Sequence, residues 1–178
     1  MPAAVQEGML LSLLLSLALA SPPDDAVAAA KTWLGTPYAW GGRGTAKNPG
    51  MDCLGVLYRA YGQATGTPWT RYPVNPSDLV AGGLLGQPVP GLRGTLRLDV
   101  ELQQLQPGDV LYFLMANYEI KDDPLLTIGP TKYWPWHTGM YLGDGVALHA
   151  EPGGVVRTQP LMEIAWDALF VTRLPADR

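Results

Sequence analysis

The chain has 178 residues, of which 47% are hydrophobic and 16% are charged, so it can bury one sizeable core and is not a disordered protein. Twelve Lys and Arg against sixteen Asp and Glu give a net charge of -4, and no basic block could follow a phosphate backbone, so we expect no nucleic-acid partner. One Cys excludes an internal disulfide, and one Cys with two His is too few for a structural zinc site, so we expect no metal and no cofactor. The 21 Gly and 17 Pro predict many turns, as in an α+β or β-rich domain.

The N-terminal segment is apolar from Met9 to Ala20 and ends in an A-x-A cleavage motif. This pattern predicts a signal peptide over residues 1–20 and a single mature domain over residues 21–178. The mature chain would then lie in the periplasm or outside the cell, with no integral membrane segment. The segment is atypical because no Lys or Arg precedes the apolar run and Glu7 does, so a buried N-terminal helix is the alternative.

Two helices are predicted in the first third of the chain. The first begins after Pro22 and ends at Gly35, and the second spans residues 53–61, with Asp52 as its N-cap and Gly62 as its stop. Residues 37–44 form an aromatic, Gly-rich loop between them. Residues 65–94 read as loop, with at most a short helix over residues 78–85.

The second half is typical of an antiparallel sheet. Short β-branched and aromatic runs predict five strands, at residues 110–114, 137–142, 146–150, 155–158 and 168–173. A long insertion at residues 115–136 separates the first two strands, and loops of that length usually form lids or binding loops.

Cys53 falls in the first turn of the second predicted helix, where unpaired amides and the helix dipole favour a thiolate and lower the pKa of the thiol. Only His137 and His149 are available as its proton acceptor. The alternative is that Cys53 is a small buried hydrophobic residue, as a lone Cys usually is.

The turn between the two His strands decides whether the imidazoles can meet. A two-residue turn at Asp144 and Gly145 would place them on opposite faces of the sheet. A three-residue loop over residues 143–145, with Gly145 left-handed, would place His149 opposite Gly139 and on the same face as His137. We expect the second arrangement.

Several blocks of this sequence resemble the NlpC-type cell-wall peptidases, which are papain-like cysteine hydrolases. Residues 34–42 (LGTPYAWGG) are similar to the opening motif of that family, and residues 52–57 (DCLGVL) to its nucleophile motif. Residues 105–113, 137–143 and 148–150 are similar to its later strands. The resemblance implies a papain-like α+β fold, in which N-terminal helices, including a Cys-bearing one, pack on a sheet of about five antiparallel strands.

The same resemblance assigns roles to four residues: Cys53 as nucleophile, His137 as general base, His149 as the group that orients it, and Tyr38 near the oxyanion. It also implies a cysteine endopeptidase that cleaves an amide bond in peptidoglycan stem peptides, between D-glutamate and a diamino acid, through a thioester. Leu54 departs from the family pattern, because a small Ser usually stands there.

Five further residues are candidates for contact with the substrate, and each has a structural alternative. Trp40 and Arg43 line a cleft or simply anchor the Gly-rich loop. Asp52 is better explained as a helix cap. Trp134 and Trp136 grip a glycan or peptide, or close the small core of the insertion.

Two other function classes remain open: a cysteine amidase or acyltransferase acting on another amide or ester, and a catalytically silent wall-binding module. The intact Cys and His set argues against the silent module. The expected partner is a peptidoglycan peptide, bound by a monomer.

Overall fold

The computed structural model describes residues 21–116 and 123–176. The predicted signal peptide at residues 1–20 lies outside the described residues. Three helices are present, α1 (Pro22–Lys31), α2 (Cys53–Thr65) and the short α3 (Pro76–Gly82). None of the helices in the described ranges is long and apolar enough to cross a bilayer.

The described residues contain seven strands, which form one antiparallel sheet in the order β1-β7-β2-β4-β5-β6, with β3 paired to β4. The strands are β1 (Gln87–Leu96), β2 (Val110–Ala116), β3 (Leu126–Ile128), β4 (Thr131–Gly143), β5 (Val146–Ala150), β6 (Val156–Pro160) and β7 (Ala168–Arg173). The predicted α+β class and all five predicted strands are confirmed.

The two additional strands fall where the sequence predicts loop. β1 carries two Pro and two Gly, and its pairing with β7 is interrupted by register shifts, which is the form such residues take on an edge strand. β3 and the first residues of β4 form a hairpin inside the predicted insertion. The described part of that insertion is therefore largely sheet.

Both predicted helices end elsewhere than expected. α1 ends at Lys31 instead of Gly35, and α2 continues through Gly62 to Thr65, where Gly66 caps it with a positive φ of 72°. A Cβ atom on Gly62 would lie 2.6 Å from the carbonyl oxygen of Thr67. Gly62 therefore allows close packing of the following loop and does not stop the helix.

The sheet is covered on both faces. On one face α1 and α2 pack over the larger core, in which Tyr61, Leu57 and Met140 are fully buried. A smaller core on the other face includes Phe113 and Trp166. This arrangement places the N-terminus of α2 beside strand β4.

The β4–β5 register matches the expectation, but the turn does not. Met140 pairs with Leu148, so Gly139 lies opposite His149 as predicted. The loop itself is the two-residue turn at Asp144 and Gly145, both with positive φ, since Gly143 pairs with Val146. An irregularity in β4 between residues 141 and 143 supplies the one-residue shift that was expected from a longer loop.

Candidate active site

The predicted N-cap of helix α2, Asp52, is confirmed. Asp52 Oδ1 accepts a hydrogen bond from the backbone N–H of Gly55 at 2.7 Å, and Cys53 is the first residue of α2. The backbone N–H of Cys53 is thus one of the helix-start donors that have no intrahelical acceptor.

The Asp52 carboxylate also ties the Gly-rich loop to the helix start. Its Oδ2 accepts from the backbone N–H of Gly41 at 3.0 Å, and its Oδ1 accepts from Arg43 Nη1 at 2.6 Å. Both side chains of this ion pair are about nine-tenths buried, at 11% and 9% exposure. The guanidinium of Arg43 also lies 5.1 Å from the centre of the Tyr58 ring. Asp52 and Arg43 therefore hold the backbone around the thiol.

Tyr38 is fixed next to the nucleophile by backbone contacts on two sides. Its N–H donates to the carbonyl of Gly154 at 2.9 Å, and it forms a parallel bridge with Met51, two residues before Cys53. Burial raises the pKa of the Tyr38 phenol, and it is raised further by repulsion from Asp52 and, when Cys53 is ionised, from the thiolate. The phenol thus remains a hydrogen-bond donor at neutral pH.

The surroundings of the thiol differ from the expectation. Burial raises the pKa of Cys53, and nearby Asp52 adds to that rise. Hydrogen bonding from the side chain and backbone of Thr138, and from the backbone of Leu54, lowers the pKa but does not outweigh burial. The predicted lowering is therefore wrong in its net direction, and the resting group is a thiol.

The two His side chains meet on one sheet face, as predicted. His137 Nε2 and His149 Nδ1 are 2.8 Å apart, and the rings are nearly perpendicular, at 86°. Gly139 makes this possible, because a Cβ atom there would lie 3.4 Å from His149 Cβ and 3.3 Å from the ring of Phe113. His149 Nε2 in turn lies 3.1 Å from Gln159 Oε1.

The ring of His137 is held between two aromatic rings. Phe113 stacks on it at 5.7 Å, and Trp136 lies at 5.0 Å. Trp136 is the extra residue at an irregularity in the β2–β4 pairing, and its indole N–H donates to the carbonyl of Ala165 at 2.9 Å. The bulge and this hydrogen bond fix the position of Trp136 against the imidazole.

Burial favours the neutral form of both imidazoles. Burial lowers the pKa of His137 to about 3, helped by repulsion from protonated His149. Burial also lowers the pKa of His149, although Gln159 and Glu151 oppose that change. A buried, neutral imidazole beside a protonated thiol can act as a general base.

Cys53 and His137 line one cleft of about 540 Å³, within the usual size range for a small-molecule site. The described residues that line it include Trp40, Arg43, Asp52, Leu54, Asp123, Trp136 and Thr138. Trp40 stands at the rim, 88% exposed. His149 and Trp134 are not among the residues that line the cleft; His149 contacts His137, and Trp134 pairs with Met115 along the sheet.

Sequence reasoning missed two neighbours of the catalytic candidates. Gln159 lies one residue beyond the end predicted for its strand, although antiparallel pairing across the turn after His149 would have brought it near. Thr138 follows His137 directly, is buried, and is a residue whose hydrogen bonding lowers the pKa of Cys53.

Comparison with known proteins agrees with this geometry. The family model described as the NlpC/P60 family matches residues 35–174. The chain belongs to the NlpC/P60 family. A Mycobacterium tuberculosis (strain H37Rv) protein named "Probable endopeptidase Rv2190c" is 35% identical over 136 residues, which are 76% of this chain and 25% of that protein. The chain thus spans about a quarter of that relative.

Solved structures share the fold. The NlpC/p60 domain of the peptidoglycan hydrolase SagA superposes with a TM-score of 0.50 at 25% identity, covering 85% of this chain and 98% of the domain. RipD from Mycobacterium tuberculosis, described as a non-catalytic NlpC/p60 domain protein adapted to peptidoglycan binding, gives 0.53 at 19% identity, covering 88% and 100%. At that identity, RipD shows the fold alone.

Proposed function

We propose that this chain is a cysteine endopeptidase that hydrolyses an amide bond in peptidoglycan stem peptides, between D-glutamate and a diamino acid. The supporting observation is that Cys53, at the start of a helix, and His137, hydrogen-bonded to His149, line the same cleft. Family membership and relatives named as endopeptidases and peptidoglycan hydrolases support the substrate class.

The first step is proton transfer with attack. Because His149 engages His137 at Nε2, Nδ1 is the ring nitrogen left to receive the thiol proton. The sulfur of Cys53 attacks the amide carbonyl as that proton moves, since the resting pair is a neutral thiol and a neutral imidazole.

The oxyanion that forms is stabilised by two donors. The backbone N–H of Cys53 has no intrahelical acceptor, and the Tyr38 phenol remains protonated beside it. Protonated His137 then gives its proton to the leaving amine, and a thioester remains on Cys53. Water activated by neutral His137 hydrolyses the thioester and releases the acid product.

A silent wall-binding role is the competing function, since RipD shares the fold and is described as non-catalytic. The presence of Cys53 and His137 on the lining of one cleft, with His149 hydrogen-bonded to His137, favours catalysis. We further propose that the protein acts outside the cytoplasm, where peptidoglycan lies, in keeping with the predicted signal peptide.

Digestion of purified peptidoglycan, followed by mass analysis of the fragments, tests the proposal. We expect new fragments ending in D-glutamate and beginning with a diamino acid, and we expect Cys53→Ala to produce none while keeping the circular dichroism spectrum of the parent. Fragments from Cys53→Ala would show that the nucleophile lies elsewhere. No fragments from the parent, with retained binding to the polymer, would favour the silent module.

A further inference from the structure

Gln159 is the last member of a chain of hydrogen-bonded side chains that begins at His137, the proposed general base. His137 Nε2 is 2.8 Å from His149 Nδ1, and His149 Nε2 is 3.1 Å from Gln159 Oε1. His149 is only 4% exposed, so its ring nitrogens depend on these partners instead of bulk water.

The orientation of the Gln159 amide determines which atom donates and which accepts in each of these two hydrogen bonds. The amide of Gln159 is oriented with Oε1 toward His149 Nε2, and because a carbonyl oxygen only accepts hydrogen bonds, this orientation requires a proton on His149 Nε2. Neutral His149 then has an unprotonated Nδ1, which accepts from His137 Nε2–H. Neutral His137 is left with a lone pair on Nδ1, the form that can receive a thiol proton.

The opposite polarity would block the reaction. A donor at the position of Gln159 Oε1 would require an unprotonated Nε2 on His149, so that His149 Nδ1 would donate to His137 Nε2. His137 would then carry its proton on Nδ1, the nitrogen proposed to receive the thiol proton, and its remaining lone pair on Nε2 would be occupied by the N–H of His149.

We propose that Gln159 is a positioning residue that selects the tautomers of both His149 and His137, through the acceptor it presents to His149 Nε2. The catalytic consequence rests on the proposed peptidase function, whereas the tautomer selection does not. Gln159 itself is not among the residues that line the cleft.

The chain offers a direct spectroscopic test, because it contains only two histidines. Long-range ¹H–¹⁵N correlation spectra distinguish a proton on Nε2 from one on Nδ1 in each ring. We expect the Nε2–H form for both rings in the parent at pH 7. The Nδ1–H form in either ring of the parent would overturn the proposal, whether or not the protein is a peptidase.

Three substitutions at position 159 present to His149 Nε2 an acceptor, a donor, or no hydrogen-bonding group. Gln159→Glu presents only acceptors and should keep both Nε2–H tautomers. Gln159→Lys presents only donors and should convert both rings to Nδ1–H, with a fall in kcat of at least about a hundredfold. Gln159→Met removes both functions at similar size, and should give mixed tautomers with a fall in kcat of about twofold to tenfold.

Substitutions at the neighbouring residue serve as controls for the charge that Gln159→Lys and Gln159→Glu introduce. Thr158 is exposed on the same strand, so Thr158→Lys and Thr158→Glu add the same charges without replacing the acceptor. We expect both to keep parental tautomers and kcat within about twofold. Parental tautomers in Gln159→Lys, or equal losses of kcat in Gln159→Lys and Thr158→Lys, would overturn the proposal. If Gln159→Lys changes the tautomers as expected but the parent cleaves no wall peptide, the tautomer selection stands and only the peptidase function is refuted.

Discussion

His137 and His149 differ in what they do, and the difference is measurable. His137→Ala removes the base, so we expect kcat to fall by about a hundredfold to ten-thousandfold, and reaction of Cys53 with iodoacetamide near pH 7 to slow sharply. His149 supplies an acceptor at 2.8 Å, so His149→Asn or His149→Gln should keep much of the rate, whereas His149→Ala should lose most of it.

Parental activity in His149→Ala would assign the orienting role to another residue. Glu151, two residues beyond His149, is the first candidate for that role, although its carboxylate is paired with Arg157 at 3.0 Å. Retained turnover and thiol reactivity in His137→Ala would refute its role as base.

The lowered pKa of His137 also predicts how stability depends on pH. The folded value is about 3, below the ordinary value of 6.5, so between these limits the unfolded chain binds a proton that the native protein does not. The free energy of unfolding should therefore fall as pH drops from 6.5 towards 3, by up to about 1.4 kcal/mol per pH unit for this group. Above pH 6.5 the contribution is complete and constant.

Urea unfolding of the parent and of His137→Gln between pH 4 and pH 7 measures this effect. The parent should show the steeper loss of stability below pH 6.5, because the variant lacks the titrating ring. Equal slopes for the two proteins would contradict a buried, neutral His137.

At the level of single residues, the sequence indicates the nucleophile and the paired imidazoles, because only one Cys and two His exist to choose from. It does not indicate the net pKa of Cys53. Helix position is visible in a sequence, but the burial that outweighs it comes from chain segments far away along the sequence.

Among the elements, the contact between α2 and the Gly-rich loop depends on a glycine. A Cβ atom on Gly55 would lie 2.1 Å from the backbone carbonyl oxygen of Gly42, which cannot move without shifting the loop that holds Asp52 and Tyr38. We expect Gly55→Ala to lower the free energy of unfolding by about 1–3 kcal/mol and kcat/KM by at least about tenfold. Urea unfolding and peptide hydrolysis measure the two effects.

Gly82→Ala is the matched control. Gly82 is also helical, but the nearest atom to an added Cβ is on the Leu84 side chain at 3.5 Å, an ordinary contact. We expect unchanged activity and equal or slightly higher stability, because Ala favours helix. Equal effects of the two substitutions would show that loss of glycine flexibility, and not the clash, is responsible.

The elements that the sequence predicts poorly are those stabilised by their neighbours. The local pattern of β1 is that of a loop, and only pairing with β7 makes it a strand. Gly62 has the local signature of a helix stop, but the close approach of Thr67 explains it instead. Strands β5 and β7, whose own residues are β-branched or apolar, match their predicted bounds.

Across the whole molecule, the ion pair between Arg173 and Asp109 joins segments that are far apart in the sequence but lie at neighbouring strands of the sheet. Arg173, the last residue of β7, donates from Nε to Asp109 Oδ1 at 2.6 Å and from Nη2 to Oδ2 at 2.7 Å. Asp109 is fully buried just before β2, and Arg173 Nη2 also donates to the carbonyl of Gln104 at 2.9 Å. The contact fixes β7 against β2 and the segment that precedes it.

We expect Arg173→Leu to lower the free energy of unfolding by about 3 kcal/mol, because it leaves the Asp109 carboxylate buried without its partner. Arg157→Leu, which breaks the exposed pair with Glu151, should cost less than about 1 kcal/mol. Urea unfolding at pH 7 compares the two. Equal costs would show that the burial of Asp109 does not matter.

The single extra residue in β4, between residues 141 and 143, determines whether His137 and His149 lie on the same face of the sheet, which the proposed activity requires. With this residue present, His149 lies on the same face of the sheet as His137. With one residue fewer, every side chain of β5 would point to the other face, and His149 would lie on the face opposite His137. Substitutions in this turn, and insertions or deletions of two residues in the strand, should therefore be tolerated, because they leave His149 on the same face of the sheet. A change of one residue would separate the histidines while leaving every catalytic side chain present in the sequence. Relatives that retain all three residues but have an odd change in this turn are thus expected to be inactive.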